Sequence, residues 1–180
     1  MYCHHICSPI NNTLGPGNRL VLWASGCPRK CPGCISPELQ ELHSGFDISV
    51  DNLADLISPQ LSGLDGITVS GGDPFFQPEE LRKFVSLIKH QCDDILIYTG
   101  YLLSEIDKKA LEGITAIIDG PYIAEQATDG ILLYGSYNQR LNVLDRRYKP
   151  TYTKWLNSYE AKIQTFSSHS GVFSIGIHKS

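Results

Sequence analysis

Cys27, Cys31 and Cys34 stand at C-x3-C-x2-C spacing within Gly26-Cys27-Pro28-Arg29-Lys30-Cys31-Pro32-Gly33-Cys34. Thiolates are soft ligands that suit iron–sulfur clusters and zinc, and three on one short loop can wrap a single inorganic core. Held by three thiolates, a four-iron cubane keeps one iron open to a small molecule, whereas a closed structural site has its full set of ligands. The alternative is a zinc site completed by Cys92, His4 or His5. Zinc ligands normally come as short-spaced pairs, a pattern this loop does not follow. Cys3 and Cys7, with His4 and His5 between them, read either as a further metal site or as part of an ordered N-terminal arm.

Three more groups of residues have types suited to holding a ligand: Gly71-Gly72-Asp73-Pro74, Thr99-Gly100-Tyr101 and Asp119-Gly120. Any one alone reads most simply as a turn or a helix cap. What joins them is the pattern around them. Arg19–Ser25 is a nearly continuous apolar run and reads as a buried strand leading into the cysteine loop. Gly66–Ser70, Ile95–Thr99 and Ile114–Ile118 read as further strands, each ending at one of the three groups. Between them, Val50–Leu61 carries Leu53, Leu56 and Ile57 at helical spacing behind Ser49 as N-cap. Pro78, Glu79 and Glu80 open a helix with Leu81, Phe84, Val85 and Ile88 as its buried stripe. Ser104 and Asp107 predict a helix through Glu112. Alternating strands and helices predict an α/β fold with a parallel sheet. A closed eight-fold barrel needs about 250 residues, so the expectation is a partial, open (β/α) barrel. Ligands sit at the C-terminal ends of such strands, where all four groups would gather.

The lead, residues 1–18, is punctuated by Pro9, Asn11, Asn12 and Gly15-Pro16-Gly17 and reads as an irregular N-terminal arm. Residues 19–144 form the expected core and 145–180 an extension. Ile131–Tyr134 is a short apolar stretch within otherwise irregular sequence. Ala161–Phe166 and Val172–Ile177 flank Ser-Ser-His-Ser-Gly and predict a β-hairpin appendage, either extra sheet, a partner-docking edge or simple closure.

The chain has 180 residues, 42% apolar and 19% charged, a composition that supports one folded core. A net charge of −4 without a Lys/Arg run makes a nucleic-acid surface a poor expectation. No apolar run approaches membrane-span length and the start lacks signal-peptide character. Six cysteines without an export signal point to a reducing, cytoplasmic setting, where metal or catalysis outranks disulfides.

The spacing of Cys27, Cys31 and Cys34, followed by Gly71-Gly72-Asp73-Pro74, resembles the radical S-adenosylmethionine (radical SAM) superfamily. Gly15-Pro16-Gly17, Ser25-Gly26-Cys27, Cys31-Pro32-Gly33-Cys34, Thr99-Gly100-Tyr101, Asp119-Gly120 and Gly135-Ser136-x-Asn138-Gln139 are similar to its small activase branch. That branch holds the activating proteins of anaerobic ribonucleotide reductase and, more distantly, of pyruvate formate-lyase. The resemblance spans residues 10–144. It implies a 4Fe-4S cluster on Cys27, Cys31 and Cys34 and SAM on its open iron. Gly71, Gly72 and Asp73 would hold the SAM amino group, and Thr99 and Asp119 its ribose or methionine end. It further implies reductive cleavage to a 5′-deoxyadenosyl radical and hydrogen abstraction from a glycine of a partner glycyl-radical enzyme, with flavodoxin or ferredoxin as electron donor. A peptide or small-molecule maturase and a non-catalytic iron–sulfur protein are the alternatives. Two positions depart from the branch: Pro121 and Tyr134 stand where it usually has Lys and Arg, with Arg140 or Lys149 as possible substitutes.

Overall fold

The computed structural model describes residues 1–128, 133–160, 163–168 and 171–176. Its strands are β1 (Tyr2–Asn11), β2 (Asn18–Ala24), β3 (Phe46–Asp47), β4 (Gly66–Gly71), β5 (Ile95–Tyr98), β6 (Ala116–Asp119), β7 (Arg140–Val143), β8 (Gln164–Ser168) and β9 (Gly171–Ile175). The α-helices are α1 (Val50–Ile57), α2 (Pro78–Ile88) and α3 (Lys149–Asn157). Seven strands form one open sheet in the order β3-β1-β2-β4-β5-β6-β7. The central four, β2, β4, β5 and β6, are parallel, and the flanking pairs are antiparallel. β8 and β9 pair as the expected C-terminal hairpin. No helix among the described residues is long and apolar enough to cross a membrane.

Side chains alternate across the central strands, as period-two geometry requires. Leu20, Leu22, Ile67, Val69, Ile95, Ile97 and Ile117 face α1 and α2, which contribute Leu53, Ile57, Leu81, Phe84 and Ile88. The intervening residues point the other way. Leu96, Ala116 and Ile118 pack with Tyr152 and Trp155 of α3, and Val21 packs with Ile10, Leu14 and Ile175 of the hairpin. The extension therefore covers the second face of the sheet, which is why these strands read as continuous apolar runs.

The N-terminal ends of β2, β4 and β5 meet at one buried ion pair. Arg19 is 1% exposed. Its Nε donates to Thr68 Oγ1 at 2.8 Å, Nη1 to Asp94 Oδ2 at 2.7 Å and Pro16 O at 3.1 Å, and Nη2 to Ile67 O at 2.8 Å and Asp94 O at 3.0 Å. All five donors of the guanidinium are used. The Tyr152 hydroxyl donates to Asp94 Oδ1 at 2.7 Å. Gly15 and Gly66 lie against this side chain, and a Cβ on either would run into it.

Several expectations change. The N-terminal arm is not irregular: residues 2–11 are β1, paired with β2 and β3. Register shifts between Cys3 and His5 and between Cys7 and Ile10 break the alternation that would have marked a strand. α1 is capped by Ser49, whose hydroxyl accepts from Asn52 N–H at 3.2 Å. It stops at Ile57 because Pro59 follows, and residues 58–60 form a 3-10 turn. Leu56 is 51% exposed and so lies off the buried stripe. The expected helix through Glu112 is two 3-10 turns, Leu103–Glu105 and Lys108–Leu111. Glu105 accepts from Leu102 N–H and Asp107 from Lys109 N–H, each at 2.7 Å, so each acid closes its own turn. α3 was not foreseen, although Pro150 sits in its first turn. Of Ile131–Tyr134 and the two predicted hairpin runs, residues 131, 132, 161, 162 and 177 lie outside the described residues.

Asp94→Ala strands the buried Arg19 charge. It is expected to cost about 3–5 kcal/mol, read as a fall in the urea midpoint with little change in m-value.

Candidate functional site

The cysteine loop leaves β2 at Ser25 and is pinned at its base. Gly26 N–H donates to Leu39 O and Cys27 N–H to Gln40 O, both at 2.9 Å, so the returning chain folds under the loop. Buried Gln77 ties the base to β1, donating to Tyr2 O and Ser25 O at 3.0 Å and accepting from Tyr2 N–H at 2.7 Å. Lys30 and Gly33 take positive φ, 46° and 68°, as the loop turns on itself. Cys34 N–H closes that turn on Cys31 O at 3.2 Å. Cys27, Cys31 and Cys34 are free and partly exposed. Burial raises the Cys27 pKa, opposed by the backbone N–H groups of Arg29 and Lys30.

Gly71 and Gly72 follow β4 and press against this loop. Gly72 N–H donates to Ala24 O at 2.8 Å and Asp73 N–H to Gly26 O at 2.9 Å. A Cβ on Gly71 would collide with the Ala24 backbone, and one on Gly72 with the carbonyls of Gly26 and Leu39. Both glycines are thus demanded by backbone approaching backbone, with Gly71 also at φ 113°.

Asp73 is 1% exposed and reaches across to the end of β5. Its Oδ1 accepts from Thr99 Oγ1 at 2.8 Å and Phe75 N–H at 3.1 Å, and its Oδ2 from Gly100 N–H at 2.9 Å. Three donors leave about one of a carboxylate's roughly four acceptor positions for a ligand. Burial raises the Asp73 pKa, while the N–H groups of Gly100 and Phe75, the Thr99 hydroxyl and the Arg29 charge act against it.

One cavity of about 430 Å³ takes in Cys27, Cys31, Cys34, Gly71, Gly72, Asp73, Thr99 and Gly100, a volume within the usual ~300–1,000 Å³ of small-molecule sites. Asp119 is the expected site residue that does not line it. It is buried at the end of β6, with Oδ2 accepting from Leu103 N–H at 2.7 Å and Oδ1 from Asn142 Nδ2 at 2.9 Å. Gly135-Ser136-x-Asn138-Gln139 clasps the loop after β6. Gln139 Nε2 donates to Gly120 O at 2.9 Å and Asn138 Nδ2 to Pro121 O at 2.7 Å, while Gln139 Oε1 accepts from Gly135 N–H at 2.9 Å. Tyr134 packs against the Tyr152 core.

Arg29 escaped the sequence reading. Among the described residues it is the one Lys or Arg lining the cavity; Arg140 and Lys149 are not in the lining. Its guanidinium lies 4.4 Å from the Tyr101 ring centroid and 3.3 Å from Glu105 Oε2. Its Nε is buried without a hydrogen-bond partner. Gly100 is glycine where the Arg29 stem passes, with Cδ only 2.6 Å from a would-be Cβ. The signal available in the sequence was a cation between the first two cysteines. Trp23, Tyr98 and Tyr122 also line the cavity, as do Ser174, Ile175 and Gly176 of the extension.

The donor set fits a polynuclear cluster. Its soft thiols come from one loop and share one cavity, beside glycine backbone and a buried carboxylate. Of the candidate fourth zinc ligands, His5 lines the same cavity as the cysteines, whereas Cys92 is buried in the core with Ile88 and Ile95. It precedes β5, whereas the cavity lies beyond that strand's other end.

Residues 13–142 match the model of a 4Fe-4S single cluster domain. The anaerobic ribonucleoside-triphosphate reductase-activating protein of Haemophilus influenzae is 35% identical over 141 residues, covering 73% of this chain and 91% of that protein. Its counterpart in Enterobacteria phage T4 is 34% identical over 139 residues, covering 74% and 88%. A pyruvate formate-lyase-activating enzyme of Staphylococcus aureus is 30% identical over 99 residues, covering 50% and 39%.

Asp73→Ala orphans three donors at the rim. A loss of at least about 1–3 kcal/mol in stability is expected, measured by urea denaturation of the cluster-free chain.

Proposed function

This chain belongs to the 4Fe-4S single-cluster domain family together with anaerobic ribonucleoside-triphosphate reductase-activating proteins, and from that premise we propose that it is a radical SAM activase. The observation that carries this reading is the shared cavity: three loop thiols, a glycine shelf and a buried carboxylate line the same space. In this reading Cys27, Cys31 and Cys34 hold the cluster. Gly71, Gly72 and the free acceptor position of Asp73 receive the SAM amino group, and Thr99 helps orient Asp73. When bound, the cluster and SAM supply one-electron cleavage of the sulfonium C–S bond and abstraction of a hydrogen atom from substrate. The open sheet serves as the partial (β/α) barrel of such enzymes, its strand ends forming the rim.

The chain's own residues hold and shield the site. The loop base on Leu39 and Gln40 fixes the direction in which the thiols face. Pro121 and Tyr134 carry no charge, and among the described residues Arg29 is the lining Lys or Arg available to an anionic group of the cofactor. Asp119 acts indirectly, holding the turn at Leu103 and strand β7 at Asn142. The substrate is a backbone glycine of a glycyl-radical enzyme, and flavodoxin or ferredoxin supplies the electron.

Cys27→Ser, Cys31→Ser and Cys34→Ser are each expected to abolish cluster absorbance and SAM cleavage in anaerobically reconstituted protein. Retained cleavage in all three variants refutes the site. Incubated with SAM, a reductant and an anaerobic reductase, the native chain is expected to give a glycine-centred doublet in electron paramagnetic resonance. Cleavage of SAM that yields no doublet but alters a peptide points to a maturase.

A further inference from the structure

Outside its base, little holds the cysteine loop. Pro28 and Pro32 have no N–H to donate, and Lys30 sits in the left-handed region that non-glycine residues disfavour. Among the described residues, the backbone of 28–34 makes one backbone hydrogen bond, from Cys34 N–H to Cys31 O. Two charged side chains tie this stretch to the rest of the described chain. Lys30 lies 3.9 Å from Glu41 with both ends mostly exposed, a pair that contributes little. Arg29 is the other.

Arg29 reaches from the loop after β2, past β4, to the turn after β5. Its stem lies over Gly100, with Cδ 2.6 Å and Nε 2.9 Å from where a Cβ would stand. The guanidinium carbon is 4.4 Å from the Tyr101 ring centroid, and Nη2 is 3.3 Å from Glu105 Oε2. The side chain is 24% exposed, and Nε is buried with no hydrogen-bond partner among the described residues. An unmet buried donor is unfavourable, so the Tyr101 ring and the Glu105 carboxylate must outweigh it. Both receivers are themselves fixed. Tyr101 N–H donates to Thr99 Oγ1 at 3.1 Å, and Tyr101 O accepts from Gly120 N–H at 3.0 Å. Glu105 Oε2 accepts from Leu102 N–H at 2.7 Å, and Gly100 N–H is held by Asp73 Oδ2 at 2.9 Å.

Resting on the reading that Cys27, Cys31 and Cys34 hold the cluster, we propose that Arg29 is a positioning residue, a latch that fastens the cluster loop to the β5 rim before any iron arrives. It stands between the first two thiols, so fixing it fixes the direction of both. Without the latch, the whole ordering of a strained, proline-bounded loop falls on cluster binding. With it, part of that freedom is already lost on folding. The guanidinium also places positive charge beside thiols that repel one another once they ionise. A planar fork suits an aromatic face in a way that an ammonium does not. Glu105 takes one arm of that fork, so the latch does not use up the charge that a cofactor anion would meet. Thr99-Gly100-Tyr101 thus has a task besides the cofactor, which is to receive Arg29.

In the cluster-free full-length chain, cleavage after Lys30 by a lysine-specific protease reports opening of the loop, and cleavage after Lys83 in α2 reports unfolding. Arg29→Met and Tyr101→Leu are each expected to speed cleavage after Lys30 by about tenfold, the weight of a cation–π stack with a partly exposed ion pair, and to leave cleavage after Lys83 unchanged. The double variant is expected to be no faster than either single one, because both remove the same contact. Additive effects, or an unchanged rate after Lys30, overturn the latch. Where both cleavages accelerate together the variant has unfolded, and Glu105→Gln decides. It keeps an acceptor for Leu102 N–H and loses the ion pair, so it must still speed cleavage after Lys30 alone. In the reconstituted chain, loss of the cluster to a chelator is followed by absorbance. Arg29→Met is expected to hasten that loss about tenfold, and Arg29→Lys to recover only part of it. Full recovery by Arg29→Lys assigns the effect to charge alone and overturns the latch. A native chain that takes up no cluster sinks the activase reading and leaves the cleavage rates to decide this one.

Discussion

The guanidinium of Arg19 sets the level from which the parallel strands start. Its five donors reach the Pro16 turn, β4 through Ile67 and Thr68, and Asp94 at the foot of β5. A fully buried charge is strongly destabilised by a vacant donor, because each unmet hydrogen bond costs far more in the interior than in water. The three strands are therefore held in fixed register at that end, as their pairing confirms: Arg19 opposes Gly66, and Ile67 opposes Ile95. Strands of fixed rise that start level also end level. That is how Cys27, Gly71 and Thr99, far apart in sequence, come to one rim.

At the rim the arrangement is repeated with a carboxylate. Asp73 joins the end of β4 to that of β5, while Gly72 and Asp73 N–H groups join β4 to the base of the cysteine loop. Polar groups at both ends of the sheet thus hold a mostly apolar middle in place. A ligand at this rim meets donors and acceptors whose positions are already fixed by one another, so little ordering remains to be done on binding. Gln139 and Asn138 do the same for the loop after β6 through the carbonyls of Gly120 and Pro121.

Much of this was legible in the sequence, for identifiable reasons. Runs such as Leu20–Leu22 and Ile95–Ile97 read as strands because both sheet faces are buried. α2 read correctly because Leu81, Phe84, Val85 and Ile88 keep strict helical spacing. β1 was hidden by its bulges, and the turns at Glu105 and Asp107 mimicked a helix start because the same side chains cap both. The glycines were read as ligand holders; they line the cavity, and their lack of side chains also lets the Ala24, Gly26 and Leu39 backbone come close. Arg19 was counted in the strand Arg19–Ser25 with no role of its own, since no local pattern announces a partner 75 residues away. Arg29 and the Ser174–Gly176 contribution were invisible for the same reason: both depend on which distant segments meet.

The Tyr152 hydroxyl on Asp94 gives the extension a share in the ionic network beneath the core. The chain cannot be pared back to its family-matched segment without leaving that carboxylate one donor short. A compact relative that took the hairpin together with α3 would likewise have to supply an acceptor for Tyr152. A seam for joining two chains falls after Asn157, where α3 ends, and chimeras joined there keep Tyr152 and Asp94 in one parent.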